Sequence, residues 1–414
     1  MRYSHRYRAY PDWTNTTSEC ERHINIARQL YNQIRHDYTN SLENNKPTKT
    51  DQKNKLPNWK STWELFSELH SRVAQETVNR FHNNLSSLSR LKANGHKIGW
   101  LQHKCQGDYQ SITYSQSGFE LENNNDRNGY KNLNLSKIGT IPIRYHRELP
   151  DTAVIKEVTL KREPSGIWYV SFGFTVDDAE LSEKKPVSEL EDGEVVGLDL
   201  GVNNYIHTSD GLSVDWLDLK DEYAKLDSLH RDLSRKQHGS NNWERQRKQL
   251  ARQKLQIQRK VVDFQHKLTT WLTKRYDCVV VEDLEVQKML GGSLNSRNMQ
   301  DCSWSRFVSM LKYKGKLYGC RIVEVDPRGT TKECNNCSVE TEKPLWVREH
   351  SCPSCGFKLD RDWNAALNVV QRGLNKLGVG DAEVTLVETG TTVDDDSSES
   401  VTASSVVEAR SLGA

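Results

Sequence analysis

The sequence predicts a multidomain chain, an α+β half followed by an α/β half, and three observations carry that prediction. Residues 108–176 alternate apolar and polar side chains in one short run after another, the period of antiparallel strands. From Val195 onward, the order strand, strand, strand, helix, strand, helix, strand is that of an α/β layer. Two Cys-x-x-Cys pairs, Cys334/Cys337 and Cys352/Cys355, stand between the last strand and the last helix and predict a small metal-held insertion. A chain of 414 residues is long enough for two or three domains.

Taken in order, "HRYRAYP" reads as a short basic strand ended by Pro11. A helix follows, with Ile24, Ala27, Tyr31, Ile34 and Tyr38 on one face and Arg22, Arg28 and Arg35 off it. "SLENNKPTKTDQKNK" is polar, holds Pro47 and reads as a loop. A second helix carries Phe66, Leu69, Val73, Phe81, Leu85 and Leu88 on its stripe, then runs into a basic segment with Trp100. The strands are "GDYQSITYSQ", "GFELEN", "LNLSKIGTIPIRYH", "AVIKEVTLKRE" and "IWYVSFGFTV", with turns at Asn128-Gly129 and Pro164-Ser165-Gly166. Together they predict an antiparallel barrel or sandwich, interrupted after its first strand by a helical insertion over about 15–105. The charged stretch 177–194 is the linker between the halves.

The second half opens with a three-strand meander, "VVGLDLGVNNYIHTSDGLSVDW". Residues 217–275 form a helical hairpin broken near "HGSNNW", and between Asp221 and Arg275 fourteen Lys or Arg face six Asp or Glu. "YDCVVVEDL" and "CRIVEVD" are strands of the buried type, with the helix "SWSRFVSMLKYKGKLYG" between them. "LGGSLNSRNMQD", after Glu282, is either a mobile lid or a plain loop.

Composition narrows the class. Hydrophobic residues make up 35% and mean hydropathy is −0.79; no run of 18 apolar residues exists, so no transmembrane helix is expected and the chain reads as intracellular. The net charge of +2 conceals a basic body, 57 basic against 48 acidic residues over 1–378, and an acidic tail over 379–414 that is expected to be disordered. A basic body suggests a polyanionic partner. Nine cysteines in an intracellular chain argue against disulfides, and Cys20, Cys105, Cys278, Cys302 and Cys320 read as structural thiols.

The carboxylates carry the chemistry. Asp199 sits inside the apolar strand "VVGLDLG", where burial is costly unless the charge is paired or bound to metal. Glu282 ends "VVVED", and Asp360 and Asp362 open the last helix. Acids on two strand ends and one helix start can converge, and such a set suits hydrolysis of a phosphodiester assisted by two Mg²⁺ ions about 4 Å apart. The plain alternative for each is a strand-end or N-cap carboxylate. The cysteine pairs, fourteen residues apart, suit one structural zinc held by four thiolates. That zinc would stiffen the loop before the last helix and aim Asp362 at the other two acids.

On the motifs "GLDLGVNN", "VVVEDL", "CNNC…CPSCG" and "DRDWNAALN", in that order, residues 1–375 resemble the TnpB (OrfB) proteins of insertion sequences, relatives of the type V CRISPR effector nucleases. The resemblance implies a wedge β-barrel over 1–176 holding a helical recognition insert, a RuvC-type, RNase H-like nuclease domain over 195–378, and a zinc ribbon inserted at 330–358. It implies an RNA-guided DNA endonuclease with Asp199, Glu282 and Asp362 as catalytic, magnesium-holding acids, leaving Asp360 as a helix-start carboxylate. Implied partners are a guide RNA from the transposon end, target DNA with a short adjacent motif, and a separate transposase; the implied setting is the prokaryotic cytoplasm, at the nucleoid. The acidic tail has no counterpart in these motifs. Trp100 can stack on unpaired bases, and the arginines of the first helix are either phosphate contacts or a solvated face. Two other functions are weighed: a zinc-containing nucleic-acid-binding regulator without catalysis, and an unguided RNase H-like nuclease. Cutting of target DNA by purified protein excludes the first; equal cutting with and without bound RNA favours the second.

Overall fold

The structure, a computed structural model, describes residues 2–42, 45–124, 127–176, 182–191, 193–201, 204–284, 303–344, 346–378 and 400–401. Two compact units divide the chain, Met1–Asp178 and Ala179–Ala414. The stretch 290–301 and residues 379–414 other than 400–401 lie outside the described residues, as does Cys302. Among the described residues, no helix is long and apolar enough to cross a membrane.

The first unit is built on seven strands: β1 (Arg2–Ala9), β2 (Ser111–Ser115), β3 (Phe119–Asn123), β4 (Tyr130–Leu135), β5 (Gly139–Arg144), β6 (Val154–Arg162) and β7 (Trp168–Thr175). They form one antiparallel sheet in the order β2-β6-β7-β1-β5-β4-β3. The first strand of the chain thus lies in the middle, paired along its whole length with β7. Strands β2 and β3 end the order and do not pair with each other among the described residues. Val170, Phe172 and Phe174 are buried, and they share one core with Ile24, Ala27, Tyr31 and Ile34 of helix α1 (Thr17–Asn40).

Three expectations for this unit change. The stretch read as a loop over 41–55 contains the start of helix α2 (Lys49–Thr62), capped reciprocally by Thr48 and Asp51. Pro47 precedes the cap rather than breaking anything. The helix escapes a periodicity search because it buries only Gln52, Leu56 and Trp59. The second helix is not continuous from Phe66: a single turn, α3 (Glu64–Ser67), is followed by α4 (Ser71–Ala93), where the His70 ring accepts the first-turn amide of Arg72. "LNLSKIGTIPIRYH" is two strands, not one. The chain reverses at Lys137 (φ 70°) and Gly139 (φ 108°), so Leu133 pairs with Ile141.

The second unit contains β8 (Val195–Leu200), β9 (Asn204–Thr208), β10 (Ser213–Asp215), α5 (Lys220–Ser234), α6 (Asn241–Arg275), β11 (Cys278–Glu282), α7 (Trp304–Tyr318), β12 (Arg321–Val325), β13 (Glu349–Ser351), β14 (Lys358–Asp360) and α8 (Arg361–Leu377). The sheet order is β12-β11-β8-β9-β10, with a two-residue strand, β15 (Ser400–Val401), beside β10. β8, β11 and β12 are parallel, whereas β9 runs against β8 and β10 against β9.

Alternation along the strands sends side chains to two different helix layers. Val196, Leu198, Val279 and Val281 pack with Phe264 and Leu268 of α6 and Phe307 and Leu311 of α7. Cys278, Val280, Val323 and Val325 pack with Val369 of α8. Two glycines let α8 lie close on this second face. A Cβ at Gly197 would sit 2.3 Å from the Ala366 carbonyl oxygen, and one at Gly373 would sit 2.3 Å from Val280 Cγ2.

Candidate active site and cysteine knuckles

The face that α8 covers is also the face of the acids. Val281 pairs with Leu198 across the parallel β11–β8 ladder, so Glu282 and Asp199, one residue further on, stand side by side where the two strands end. Both are buried, at 6% and 8% exposure. The first turn of α8 comes down beside them: the helix crosses β8 at Gly197, and Trp363 Nε1–H donates to the Ser209 carbonyl at 3.0 Å. Asp362 lies in that turn.

The electrostatics show two of the acids acting on the third. Burial comes first, and then the charges of Glu282 and Asp362, in pushing the Asp199 carboxyl well above the usual carboxylate range. Burial raises Glu282 as well, opposed by the Thr330 hydroxyl, which donates to Glu282 Oε1 at 2.6 Å. Asp362 is held by arginines: Arg361 donates to its Oδ1 through Nε at 2.9 Å and Nη2 at 2.8 Å, and Arg348 Nη1 reaches its Oδ2 at 3.2 Å. Asp360 caps α8, accepting the amides of Asp362 at 2.8 Å and Trp363 at 3.1 Å.

The four cysteines form the other cluster. Their Sγ atoms all lie within 4.8 Å of one another, an arrangement that can hold one metal ion, with Cys334 3.7 Å from Cys355 and Cys337 3.5 Å from Cys352. The two knuckles share one backbone design. In the first, Cys334 N–H donates to the Val339 carbonyl and the Ser338 amide returns to Cys334 O. In the second, Cys352 N–H donates to the Phe357 carbonyl and the Gly356 amide returns to Cys352 O. Each returning residue is left-handed, Ser338 at φ 57° and Gly356 at φ 74°, which tightens the turn around the thiol pair. Among the described residues, no other group of three or more His, Cys, Asp or Glu is gathered this tightly, so the acids stand further apart than the thiols.

Knuckle and acids are physically joined. β13 and β14 pair, and β14 ends at Asp360, the cap of α8. Asn364 and Asn368, one turn apart on α8 and buried, both donate to the Glu333 carbonyl, and Asn368 also donates to the Thr330 carbonyl. Thr330 in turn holds Glu282. Thr330 and Arg348 were missed in the sequence because nothing in their spacing marks them: their partners lie 48 and 14 residues away.

Other candidates settle differently. Arg22, Arg28 and Arg35 are engaged within their own unit: Arg22 pairs with Glu68 at 2.6 Å, while Arg28 and Arg35 donate to the carbonyls of Lys104 and Leu101. Arg28 and Arg35 thereby anchor the basic segment to α1. Trp100 is 49% exposed and stacks on Tyr38 with ring centroids 6.2 Å apart, on a cleft also lined by His82, Lys92 and Lys97. Cys20, Cys278 and Cys320 are buried free thiols and Cys105 is exposed.

Comparison with known proteins adds an independent line. Residues 179–292 match a family described as a probable transposase (OrfB of IS605), and residues 304–369 match the Cas12f1-like TNB domain. A putative RNA-guided DNA endonuclease of Streptomyces pristinaespiralis is 30% identical over 385 residues, covering 91% of this chain and 90% of that protein. The putative RNA-guided DNA endonuclease InsQ of Escherichia coli K12 is 26% identical over 350 residues, 79% of this chain and 82% of that protein. Among solved structures, a Cas12f1–sgRNA–target DNA complex aligns with 89% of this chain and 98% of its own, at 15% identity and a TM-score of 0.48.

Proposed function

This chain belongs to the TnpB (OrfB) family of transposon-encoded RNA-guided DNA endonucleases, relatives of the type V CRISPR effectors, and we propose from that premise that Asp199, Glu282 and Asp362 form its magnesium-dependent cutting centre. The observation that carries the assignment is the shared environment of the acids. Two carboxylates end adjacent buried strands, a third opens the helix laid across them, and Asp199 is pushed up by burial and by the other two. Such a crowd of negative charge is relieved by divalent cations, and oxygen donors are what Mg²⁺ prefers. The sheet order, with three antiparallel strands extended by two parallel ones, supports an RNase H-like, RuvC-type domain over 195–378.

Each residue then has a task. Asp199 and Glu282 hold the cations from the rigid sheet. Asp362 joins them from α8 on leaving Arg361 and Arg348. Bound Mg²⁺ supplies activation of the attacking water and stabilisation of the leaving oxygen. Thr330 keeps Glu282 oriented.

In the same reading, residues 330–358 are a ribbon that holds structural zinc. The two short thiol distances, 3.5 and 3.7 Å, approach the edge of about 3.8 Å in a tetrahedron with Zn–S near 2.3 Å. Residues 1–176 form the wedge barrel, with the recognition insert at about 15–105 and a linker at 177–194. The partners are a guide RNA from the transposon end and a target DNA with a short adjacent motif, a separate transposase carries out recombination, and the setting is the prokaryotic cytoplasm, at the nucleoid. The fourteen basic residues of the α5–α6 region supply phosphate contacts without reading sequence.

The test is direct. Co-expression with the flanking DNA, followed by sequencing of the RNA that copurifies, is expected to yield one structured RNA ending at the element boundary. Asp199→Ala, Glu282→Ala and Asp362→Ala are each expected to abolish cutting while that RNA stays bound. Cutting that persists in all three variants refutes the centre, and a random RNA mixture refutes guidance.

A further inference from the structure

His207 stands directly opposite Asp199 in the antiparallel β8–β9 ladder. Opposed residues of such a pair project from the same face, so the imidazole shares the face of the acids. On its other side His207 pairs with Ser213 of β10. One polar row therefore crosses four strands: Glu282, Asp199, His207, Ser213. His207 is only 8% exposed.

Its two ring nitrogens are in different situations. Nε2 lies 3.2 Å from Asn204 Nδ2, and the same Asn204 nitrogen lies 2.7 Å from Ser213 Oγ. An amide nitrogen can only donate, so Nε2 accepts, and the neutral ring carries its proton on Nδ1. That Nδ1–H is buried and has no hydrogen-bond partner among the described residues. Buried donors are costly to leave unmade, and an orphaned one marks a place where a partner is expected. Across the ladder is Asp199, whose carboxyl receives no hydrogen bond from any described residue. It is the natural acceptor as soon as it is ionised.

The geometry points to His207 as a positioning residue of the cutting centre: its Nδ1–H donates to the Asp199 carboxylate when that carboxylate holds a divalent cation, with Asn204 and Ser213 fixing the tautomer. This rests on the assignment of Asp199 as a cation-holding acid. Ligating carboxylates are commonly oriented by such outer partners, whose loss weakens metal binding about 10–100-fold.

Two variants separate the nitrogens. In His207→Asn the amide nitrogen occupies the place of Nδ1; in His207→Gln it occupies the place of Nε2. Each is purified with its copurifying RNA. The Mg²⁺ concentration for half-maximal cutting is measured, and Mn²⁺ binding is followed by calorimetry without DNA. Donation from Nδ1 predicts that His207→Asn stays within about threefold of the parent in both, and that His207→Gln is weakened about 10–100-fold in both. The reverse pattern assigns His207 to Asn204 and Ser213 alone and overturns the proposal. So do two variants that both match the parent, and two that both fail with lowered unfolding temperatures. Asp199→Asn, run alongside, tests the premise separately: unchanged cutting and Mn²⁺ binding there refute the acidic centre itself, whatever the His207 variants do.

Discussion

Gly197 is where the sheet admits α8, and Gly197→Ala measures how closely the helix must sit for the acids to work. The added Cβ would meet the Ala366 carbonyl oxygen at 2.3 Å and the Val370 amide nitrogen at 2.6 Å. Both are backbone atoms, so no side-chain rotation relieves the contact. A Cβ essentially never approaches closer than 3.0 Å, so α8 must retreat from β8 by at least about 0.7 Å. Ala366 lies one turn beyond Asp362, and the retreat carries that carboxylate away from Asp199 and Glu282. Overpacking of this kind costs roughly 1–3 kcal/mol. At about 2–4 °C per kcal/mol for a unit of this size, the unfolding temperature is expected to fall by roughly 5 °C. Misplacement of a reacting group by about 1 Å costs on the order of 10²-fold in rate, so cutting should fall about 10–100-fold. The assay is single-turnover cleavage of a guide-matched DNA beside a thermal melt, with copurified RNA quantified. Gly99→Ala, where a Cβ meets nothing within 4 Å, serves as the neutral control. Parent-like cleavage and melting in Gly197→Ala would refute the claim that α8 packing places Asp362.

Three further outcomes follow from the same contacts. Thr330→Val removes the 2.6 Å hydrogen bond to buried Glu282 while keeping the side-chain shape; the Mg²⁺ needed for half-maximal cutting should rise about tenfold, and an unchanged requirement refutes the role of Thr330. Asp199→Asn tests the electrostatics in magnesium-free buffer. The native Asp199 carboxyl is raised above its unfolded value, so its stabilising contribution is full below the ordinary carboxylate range and is lost as pH climbs through the raised value. The parent should therefore lose stability from about pH 4 upward more steeply than Asp199→Asn, which ends the more stable of the two near pH 7. Denaturant titrations at several pH values check this, and parallel curves contradict it. Removing metal from the cysteine knuckles, by a thiol-selective chelator or by Cys352→Ser, should lower the unfolding temperature and abolish cutting. Metal analysis should find zinc in the parent and none after chelation. Recovery of the chelated protein with Mg²⁺ alone, without Zn²⁺, would show that the knuckle does not support α8.

Sequence by itself determined what short-range chemistry determines. An aspartate inside an apolar strand, a glutamate at the end of another, and two thiol pairs at knuckle spacing are visible because residue type and local period carry their meaning. Strand alternation over 108–176 was legible for the same reason. Tertiary structure decided everything that depends on register or on a distant partner. The reversal at Lys137 and Gly139, helix α2 with its three buried residues, and the tethering of Arg28 and Arg35 to the segment 101–104 belong here. So do the grip of Thr330 on Glu282 and the placement of His207 opposite Asp199. A polar side chain looks the same in the sequence whether it faces water or a buried carboxylate. Which it faces is set by strand pairing and by how closely a helix can approach, and at Gly197 that approach depends on the absence of one carbon atom.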